Sequence, residues 1–309
     1  MAEKSDVLQR RFVGSLTGRY RGLALAVLAS ACWGTSGLFI NGILREQAIS
    51  TWSLAFWREL FTFLTLLVGI TWIRPSLLRV SRHDLPWLIG MGISMGGLHV
   101  TWNVSIMTNG VPAATVMQYN APILVALVGW LLWREPFTAR KLGAMVLAIS
   151  GTALIAQIGA GEAQGLTLPG LLVGVGTAVS YGSFTLFGKK LAGSYSQWTI
   201  ILYVFAFSML ALLPLQFSRP LPWPVATPTL VAFAALVWLT TIGGYGFYTS
   251  SLQTLQASEA VIVSVTEVLF AAVLAFVLLK QLMDGWQMFG AALVVGSVLL
   301  ISWPRKARG

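Results

Sequence analysis

Ten apolar runs of about twenty residues follow one another along this chain and restrict what it can fold into. They lie at about 22–41, 51–73, 85–107, 111–133, 141–158, 168–188, 197–216, 228–250, 258–279 and 285–303. A helix of roughly 20 apolar residues crosses the ~30 Å hydrocarbon core of a bilayer. Only 10% of the residues are charged, against about 25% in soluble domains, and the mean hydropathy is +0.77. The sequence therefore predicts an all-α integral membrane protein with ten transmembrane helices.

Basic residues gather in alternate loops between these runs. Most of the twenty Lys and Arg residues lie in the N-terminal tail, in loops 2–3, 4–5 and 6–7, and after the last run. The opposite side holds Arg45, Arg219 and Lys280, and Arg58 lies inside the second run. Because cytoplasmic loops carry an excess of Lys and Arg, the pattern predicts cytoplasmic N and C termini. It also explains the net charge of +10 without a nucleic-acid partner.

The residues that commonly bind metals or cofactors are scarce. Cys32 is the single cysteine, and His83 and His99 are the two histidines, so a His/Cys metal site is not expected. The phosphate-binding pattern G-x-x-x-x-G-K-[ST] does not occur, so ATP is not the expected energy source. We expect no cofactor, no metal and no catalytic residue.

Two stretches of the first half recur in the second half. Residues 31–39 match 179–187, and residues 121–135 match 267–281. Each half holds five spans, and because five is odd, the second half enters the membrane from the other side. Inverted repeats of this kind are typical of secondary transporters, whose substrate site lies near the midplane between the halves. The predicted organisation is a basic cytoplasmic tail (1–21), a first repeat (22–158), a linker (159–167), a second repeat (168–303) and a basic cytoplasmic tail (304–309).

Polar and aromatic residues occur at mid-depth in several spans, where polar side chains usually face the bundle interior or a water-filled cavity. Trp33 with Ser36, and His99 with Trp102 and Asn103, have spacings that place them on shared helix faces. Together they suit the stacking of a ring or the binding of a cation. We predict a substrate site formed by Trp33, Ser36, His99, Trp102, Asn103, Gln118, Tyr119, Tyr181, Tyr245, Tyr248 and Glu267.

Four titratable groups in the spans leave alternatives open. Arg58 and Glu59 are adjacent, so their side chains point about 100° apart on a helix. Either they belong to the cavity as coupling or charge-balancing groups, or Arg58 extends to the membrane surface and Glu59 caps a neighbouring group. Glu267 could couple protons to the substrate or bind an ammonium group. His99 is either a cavity residue or a hydrogen-bonded packing residue.

The segment Gly34–Gly37 has the form G-x-S-G, which raises the possibility of a serine nucleophile. Ser36 with His99 would then form the Ser–His pair of an intramembrane serine protease. The matching segment Gly182–Thr185 keeps the aromatic-Gly step that precedes it but loses the G-x-S-G form. We therefore interpret Trp33 and Ser36 as cavity wall and the two glycines, at 34 and 37, as a small face for close helix packing. The protease is kept as a remote alternative.

The stretch APILVALVGWLLWREPFTARKLGAMVLAISGTALI resembles the end of the first half of the EamA-type group of the drug/metabolite transporter superfamily. Residues Pro122, Glu135, Gly143 and Gly151 match that pattern. In the second half, TEVLFAAVLAFVLLK resembles the Glu-Pro run of the family, with Glu267 at the Glu. Here the chain departs from the family, because Val268 stands for the Pro and Gln281 for the turn Glu.

The resemblance covers about residues 22–303 and implies a ten-helix fold, a central cavity formed by helices 1–4 and 6–9, and metabolite export. Among bacterial members, the chain looks most like amino acid exporters, including the aromatic amino acid exporter. We expect a secondary transporter of the bacterial inner membrane, monomeric or homodimeric, that exports neutral and aromatic amino acids by alternating access. The alternatives are an exporter of another small metabolite or drug, such as a purine, a sugar-like or a cationic compound, and a passive pore.

Overall fold

A computed structural model describes residues 2–46, 49–156, 167–218, 226–280 and 284–303, and across these ranges the regular structure is helical, without strands. The predicted linker 159–167 lies outside them apart from Thr167, and the predicted tail 304–309 lies outside them entirely. The α-helices are α1 (Ala2–Gly34), α2 (Ser36–Glu46), α3 (Thr51–Ile73), α4 (Leu85–Gln118), α5 (Ala121–Trp133), α6 (Ala139–Ile155), α7 (Leu168–Leu191), α8 (Gln197–Ser218), α9 (Thr227–Ala235), α10 (Gly244–Ser251), α11 (Ala257–Ser264), α12 (Glu267–Leu279) and α13 (Gly285–Ser302). A short 3₁₀ turn (Pro75–Leu78) and a π-helical segment (Leu236–Gly243) complete the described structure.

These helices form the ten predicted membrane segments. Within the described ranges, eight stretches are long and apolar enough to cross a membrane. The other two segments are the first part of α4 and α6, which has only 17 residues. Helix α1 begins at Ala2, well before the predicted start of the first span at 22, because the preceding polar residues include no proline and many good helix formers. The stretch that can cross the membrane there is Thr17–Leu44.

The predicted break between spans 3 and 4 is a reversal of direction inside a continuous helical segment. Helix α4 stays helical to Gln118, whereas the sequence suggested a loop at residues 110–112. The contacts of four α7 glycines show the reversal. Before it, Gly176 faces Thr101 and Gly170 faces Asn109. After it, Gly174 faces Met117 and Gly182 faces Leu124. The chain therefore runs antiparallel to α7 up to Asn109 and parallel to it from Met117. Pro112 lies in this interval, and a proline inside a helix removes a backbone hydrogen bond and permits a sharp bend.

Equivalent helices of the two halves share their boundaries, which shows the two-repeat architecture directly. Helices α5 and α12 both have 13 residues and begin at Ala121 and Glu267. Both end at a left-handed basic residue, Arg134 with φ 52° and Lys280 with φ 57°. No other non-glycine residue in the described ranges has a positive φ. The predicted inverted repeat is thus confirmed at the level of single backbone positions.

Helices α6 and α13, one from each repeat, pack with their backbones in contact. A Cβ atom on Gly151 would lie 2.6 Å from the carbonyl oxygen of Gly290, and one on Gly290 would lie 2.7 Å from that of Gly151. Only glycine permits this approach. Gly34 has the same role in α1, since its Cβ would lie 2.7 Å from Cβ of Phe270. The matching prediction for Gly37 is wrong. Apart from its chain neighbours and its own helix backbone, no described atom lies within 4 Å of a Cβ placed there.

One end of the bundle carries the start of the first span and the end of α13, and we call it the terminal face. Arg19 of α1 joins these parts, because its Nη2 donates to the carbonyl oxygen of Ile301 at 2.7 Å. The same nitrogen forms an ion pair with Glu259 Oε1 of α11 at 3.1 Å. Segments from both repeats are therefore tied together at this face.

Glu135 makes a second and more deeply buried connection at the terminal face. It follows α5, is 7% exposed, and accepts hydrogen bonds from Lys141 Nζ at 3.2 Å and Ser258 Oγ at 2.7 Å. Its other carboxylate oxygen accepts from the backbone N–H of Ala257 at 3.1 Å. The turn of the first repeat is thus bound to the first residues of α11 in the second repeat.

Candidate substrate-binding site

A cavity of about 110 Å³ lies between the two repeats, near the middle of the spans. Ten of the residues predicted from the sequence border it: Trp33, Ser36, Arg58, His99, Trp102, Gln118, Tyr119, Tyr181, Tyr245 and Glu267. The other wall residues are Ile40, Leu98, Thr115 and Thr240. The predicted Asn103, Glu59 and Tyr248 do not line it.

Interrupted helices bring polar groups to this depth. The first segment breaks at Thr35, the fourth at Tyr119-Asn120 and the ninth at Val265-Thr266. The eighth contains the π-helical segment, and there Thr240 Oγ1 lies 3.1 Å from Oγ1 of Thr35. Broken helices are tolerated within a membrane where they line a cavity, and π-helical turns occur frequently at functional sites.

An acidic wall is formed by Glu267, the first residue of α12. The hydroxyl group of Tyr119, which is 2% exposed, donates to Glu267 Oε2 at 2.7 Å. One turn earlier, Ser264 Oγ lies 2.7 Å from the hydroxyl oxygen of Tyr181. Tyr119 therefore holds one carboxylate oxygen of Glu267 at the edge of the cavity.

A basic group on the cavity wall comes from α3. Arg58 is 9% exposed, and its Nε donates to Thr241 Oγ1 at 2.7 Å. Thr241 in turn donates to the carbonyl oxygen of Leu236, so the π-helical segment fixes the acceptor. The alternative in which Arg58 extends to the membrane surface is wrong, because the hydroxyl of Thr241 draws the guanidinium inward. The cavity thus has a guanidinium group and a carboxyl group on its wall.

His99 is supported from behind by a buried carboxylate. Its Nδ1 lies 2.7 Å from Oε1 of Glu59, which is fully buried. Neither oxygen of Glu59 nor Nδ1 of His99 has a hydrogen-bond partner among the described residues, so the two groups are in close contact without an aligned hydrogen bond. Arg58 and Glu59 diverge as expected for neighbours on a helix: Arg58 reaches the cavity, and Glu59 contacts the imidazole that borders it. His99 thus lines the cavity and at the same time contacts the buried carboxylate of Glu59.

An aromatic cluster closes the cavity on the side of the terminal face. The ring of Trp33 lies 4.9 Å from that of Tyr245 and 5.1 Å from that of Tyr248. Phe184 packs edge-on against Tyr245 at 5.6 Å. Tyr248 is fully buried, and its hydroxyl oxygen lies 2.8 Å from Thr185 Oγ1, so it supports Trp33 from below and does not reach the cavity. The cluster separates the cavity from the terminal face.

Sequence reasoning missed Thr240 because the π-helical segment shifts the helix face. On an α-helix, the residues that share a face with Tyr245 are three or four positions away. A π-helical turn pairs residues five apart, which brings Thr240 to the face of Tyr245. Thr115 and Ile40 could have been found, since they lie three and four residues from the predicted Gln118 and Ser36.

Ser36 and His99 both border the cavity, but no hydrogen bond joins them in the described structure. The Nδ1 atom of His99 is directed to Glu59, and Ser36 is the first residue of α2. The contact of nucleophile and base that a serine hydrolase requires is therefore not formed here.

Comparisons with known proteins agree with this architecture. The model of the EamA-like transporter family matches residues 20–157 and again 168–303. An uncharacterized inner membrane transporter of Salmonella typhimurium, YicL, is 24% identical over 93% of this chain and 97% of its own length. A probable amino-acid metabolite efflux pump of the same organism is 22% identical over 73% of this chain and 80% of its own length. A solved structure described only as "Crystal structure of protein" has a TM-score of 0.75 at 20% identity, covering 91% of this chain and 96% of its own. The chain belongs to the EamA-like transporter family and is a membrane transporter built from two repeats.

Proposed function

We propose that this transporter exports amino acids of broad range, including aromatic and other neutral ones, across the inner membrane of a bacterium. It works as a secondary transporter by alternating access, as a monomer or a homodimer. The observation that supports this most is the presence of Arg58 and Glu267 on the wall of one small cavity. A zwitterion is the substrate class that uses both charges.

The two charges suit the two ends of an amino acid. The substrate carboxylate binds guanidinium N–H groups of Arg58, whose Nε–H already donates to Thr241. The substrate ammonium group binds Glu267, which has one oxygen held by Tyr119. Charge-assisted hydrogen bonds are shorter and roughly twice as strong as neutral ones. A purely cationic solute would leave Arg58 without a charged partner, and a neutral solute would leave both groups without one.

The aromatic residues accept an apolar side chain. Trp33 and Trp102 border the cavity and offer ring faces to a substrate. The volume of about 110 Å³ equals that of roughly four water molecules of the liquid, so a small neutral amino acid fits the cavity as it stands. An aromatic amino acid needs side chains at the open end, such as Gln118, to move aside. Small substrates should therefore bind without rearrangement and large ones with it.

The closed terminal face fits one state of an alternating-access cycle. The aromatic cluster and the hydrogen bonds of Glu135 obstruct that side, and the wall residues toward the other side are partly exposed. Exchange of conformation between the two inverted repeats would close the open side and open the terminal face. With cytoplasmic termini, as the distribution of Lys and Arg favours, this conformation faces outward.

Counterflow into proteoliposomes tests the proposal. Vesicles loaded with unlabelled alanine, leucine or phenylalanine should accumulate the labelled amino acid transiently, and the rate should saturate. The same panel should include a purine, a sugar, a cationic dye and phenethylamine, which lacks the carboxylate of phenylalanine. Counterflow of one of these compounds without counterflow of any amino acid would replace our proposal with another metabolite or drug. Flux without saturation or counterflow would indicate a passive pore.

A further inference from the structure

A second and larger cavity lies outside the central one, on the side of the bundle away from the terminal face. Its volume is about 520 Å³, and it is bordered by α2, α3, α9 and the π-helical segment. We call it the lateral cavity, and its wall consists of Ile43, Ile49, Leu54, Trp57, Phe61, Thr65, Thr229, Leu230, Phe233, Ala234, Val237 and Trp238. Phe61, Leu230 and Trp238 are 45%, 50% and 61% exposed, so the cavity opens sideways toward the bilayer.

Two polar groups in this apolar cavity have no partner among the described residues. Thr229 is 3% exposed, and its Oγ1 makes no hydrogen bond. The indole Nε1 of Trp57 is buried and equally unpartnered. Both can donate a hydrogen bond, and leaving such groups buried and unsatisfied costs free energy. The occupant of the cavity is therefore expected to carry a hydrogen-bond acceptor at one end of an apolar body.

The position of Thr229 matches that of the ester carbonyl groups of a phospholipid. Thr229 is the third residue of the α9 segment, next to the membrane boundary, whereas Trp238 lies roughly 13 Å further along the helix axis. A phospholipid carries ester carbonyl groups at this boundary, and its acyl chains fill a half-bilayer of roughly 15 Å. The apolar part of the cavity thus extends over the depth of one acyl chain.

The width of the cavity excludes a helix from another protein. The rings of Phe61 and Phe233 bridge α3 and α9 with centroids 5.5 Å apart. A helix with its side chains is roughly 10–12 Å across and cannot enter between elements that are bridged in this way. A flexible acyl chain is narrow enough to lie along the two rings.

We propose that the lateral cavity binds one acyl chain of a membrane phospholipid, with an ester carbonyl oxygen accepting a hydrogen bond from Thr229. The lipid comes from the leaflet opposite the terminal face. Its acyl chain packs against Trp57, which neighbours Arg58 on α3, and against Val237, which belongs to the π-helical segment. The bound lipid thereby supports the elements that hold Arg58 in the central cavity. Lipid binding itself does not depend on the substrate of the transporter.

The test uses the full-length protein in nanodiscs of phosphatidylethanolamine and phosphatidylglycerol with a small share of a phospholipid that carries a diazirine in mid-chain. After illumination, peptide mass spectrometry should find labelling concentrated on residues 57–61 and 233–238. Native mass spectrometry of the detergent-extracted protein should find one retained phospholipid. Ala234→Trp fills the cavity and should abolish both signals. Leu172→Trp on the exposed surface of α7 is the matched control and should change neither.

Thr229→Val tests the polar end without filling the cavity, and it should weaken lipid retention roughly fivefold, as expected for the loss of one hydrogen bond. Uniform labelling of all lipid-facing helices would overturn the proposal. So would labelling that persists unchanged in Ala234→Trp, or photocrosslinks that join two protein chains at this surface. Transport assays of the same variants report on the central cavity separately, so failure of the amino acid proposal would leave the lipid result intact.

Discussion

Tyr119 donates a 2.7 Å hydrogen bond to Glu267, and the two residues border equivalent helix interruptions in the two repeats. Tyr119 precedes the start of α5, and Glu267 begins α12, the counterpart of α5. The contact therefore connects the two repeats at the cavity itself. A substrate ammonium group at Glu267 would act on both broken helices at once, which couples binding to the relative position of the repeats.

Replacing the carboxylate of Glu267 should weaken the binding of amino acids. A hydrogen bond to a charged group contributes about 1.5–3 kcal/mol, so Glu267→Gln should raise the half-saturating concentration in counterflow roughly ten- to hundredfold. Asp284→Asn is the matched control, because Asp284 caps α13 on the exposed surface. Equal uptake by Glu267→Gln and wild type would show that the carboxylate does not bind the substrate.

Arg58→Lys should discriminate between substrates by their carboxylate. Lysine keeps the charge but cannot offer the planar fork of donors, one of which Thr241 orients. We expect phenylalanine uptake to fall about tenfold or more, whereas any uptake of phenethylamine should change little. Thr241→Val removes the acceptor of Nε and should give the same pattern more weakly. A parallel loss for both compounds would instead indicate a purely structural role for Arg58.

Gly244→Ala should displace the indole of Trp33. A Cβ at Gly244 would lie 2.5 Å from Trp33 Nε1, too close for any real contact. Overpacking of this kind costs about 1–3 kcal/mol, so the melting temperature should fall and the tryptophan fluorescence spectrum should change. Gly246→Ala is the control two residues away, because its Cβ would meet Trp198 at an ordinary 3.6 Å. A variant as stable and as active as the control would contradict the tight packing of Trp33.

Glu135→Gln should loosen the terminal face. The neutral amide keeps some hydrogen bonds but loses the ion pair with Lys141. Ser30→Cys in a Cys32→Ala background reports the change, since Ser30 is fully buried about one turn before Trp33 on α1. Maleimide labelling of Cys at position 30 should become roughly tenfold faster, which corresponds to about 1.4 kcal/mol. Arg140→Gln, which removes a surface contact to Trp303, should leave the rate unchanged.

Tyr195 should make stability depend on pH outside the membrane. Its hydroxyl donates to Asp84 Oδ2 at 2.7 Å, and this bond to a carboxylate raises the pKa of Tyr195. A folded-state pKa above the unfolded value of about 10 means that the contribution is complete below pH 10 and is lost as the pH rises further. The melting temperature of Tyr195→Phe should thus be lower than that of wild type at pH 8, and the gap should narrow above pH 10. A gap that stays constant would contradict this assignment.

The fold was predictable because apolar run length, charge asymmetry and repeat spacing are properties of the sequence itself. The 146-residue separation of the matched stretches 121–135 and 267–281 reappears in the starts of α5 and α12 and in the caps Arg134 and Lys280. The reversal before Met117 was placed correctly as a boundary, but not as a helical segment, since a proline marks a bend without fixing its form.

The site was predictable in its residue types but not in its pairings. The depth of residues within the spans and their helical spacing predicted ten of the wall residues, including Glu267 and Trp33. The pairing of Glu59 with His99 joins two helices, and no spacing along one chain segment encodes it. The π-helical segment was equally hidden, because it depends on how the eighth span packs and not on its apolar pattern. Because of this segment, Thr240 reaches the cavity and Thr241 accepts the hydrogen bond from Arg58.

The backbone contact between Gly151 and Gly290 limits how the molecule can move. Two helices that touch through their carbonyl groups can roll on each other but cannot separate without losing close packing along both. Since α6 and α13 belong to different repeats, we propose that the two repeats rotate about this contact during transport. A small rotation of α6 against α13 would give a larger displacement at the far edge of the bundle, in proportion to the distance from this contact. A methyl group at either glycine would force α6 and α13 apart, and we expect it to slow turnover more than it weakens substrate binding.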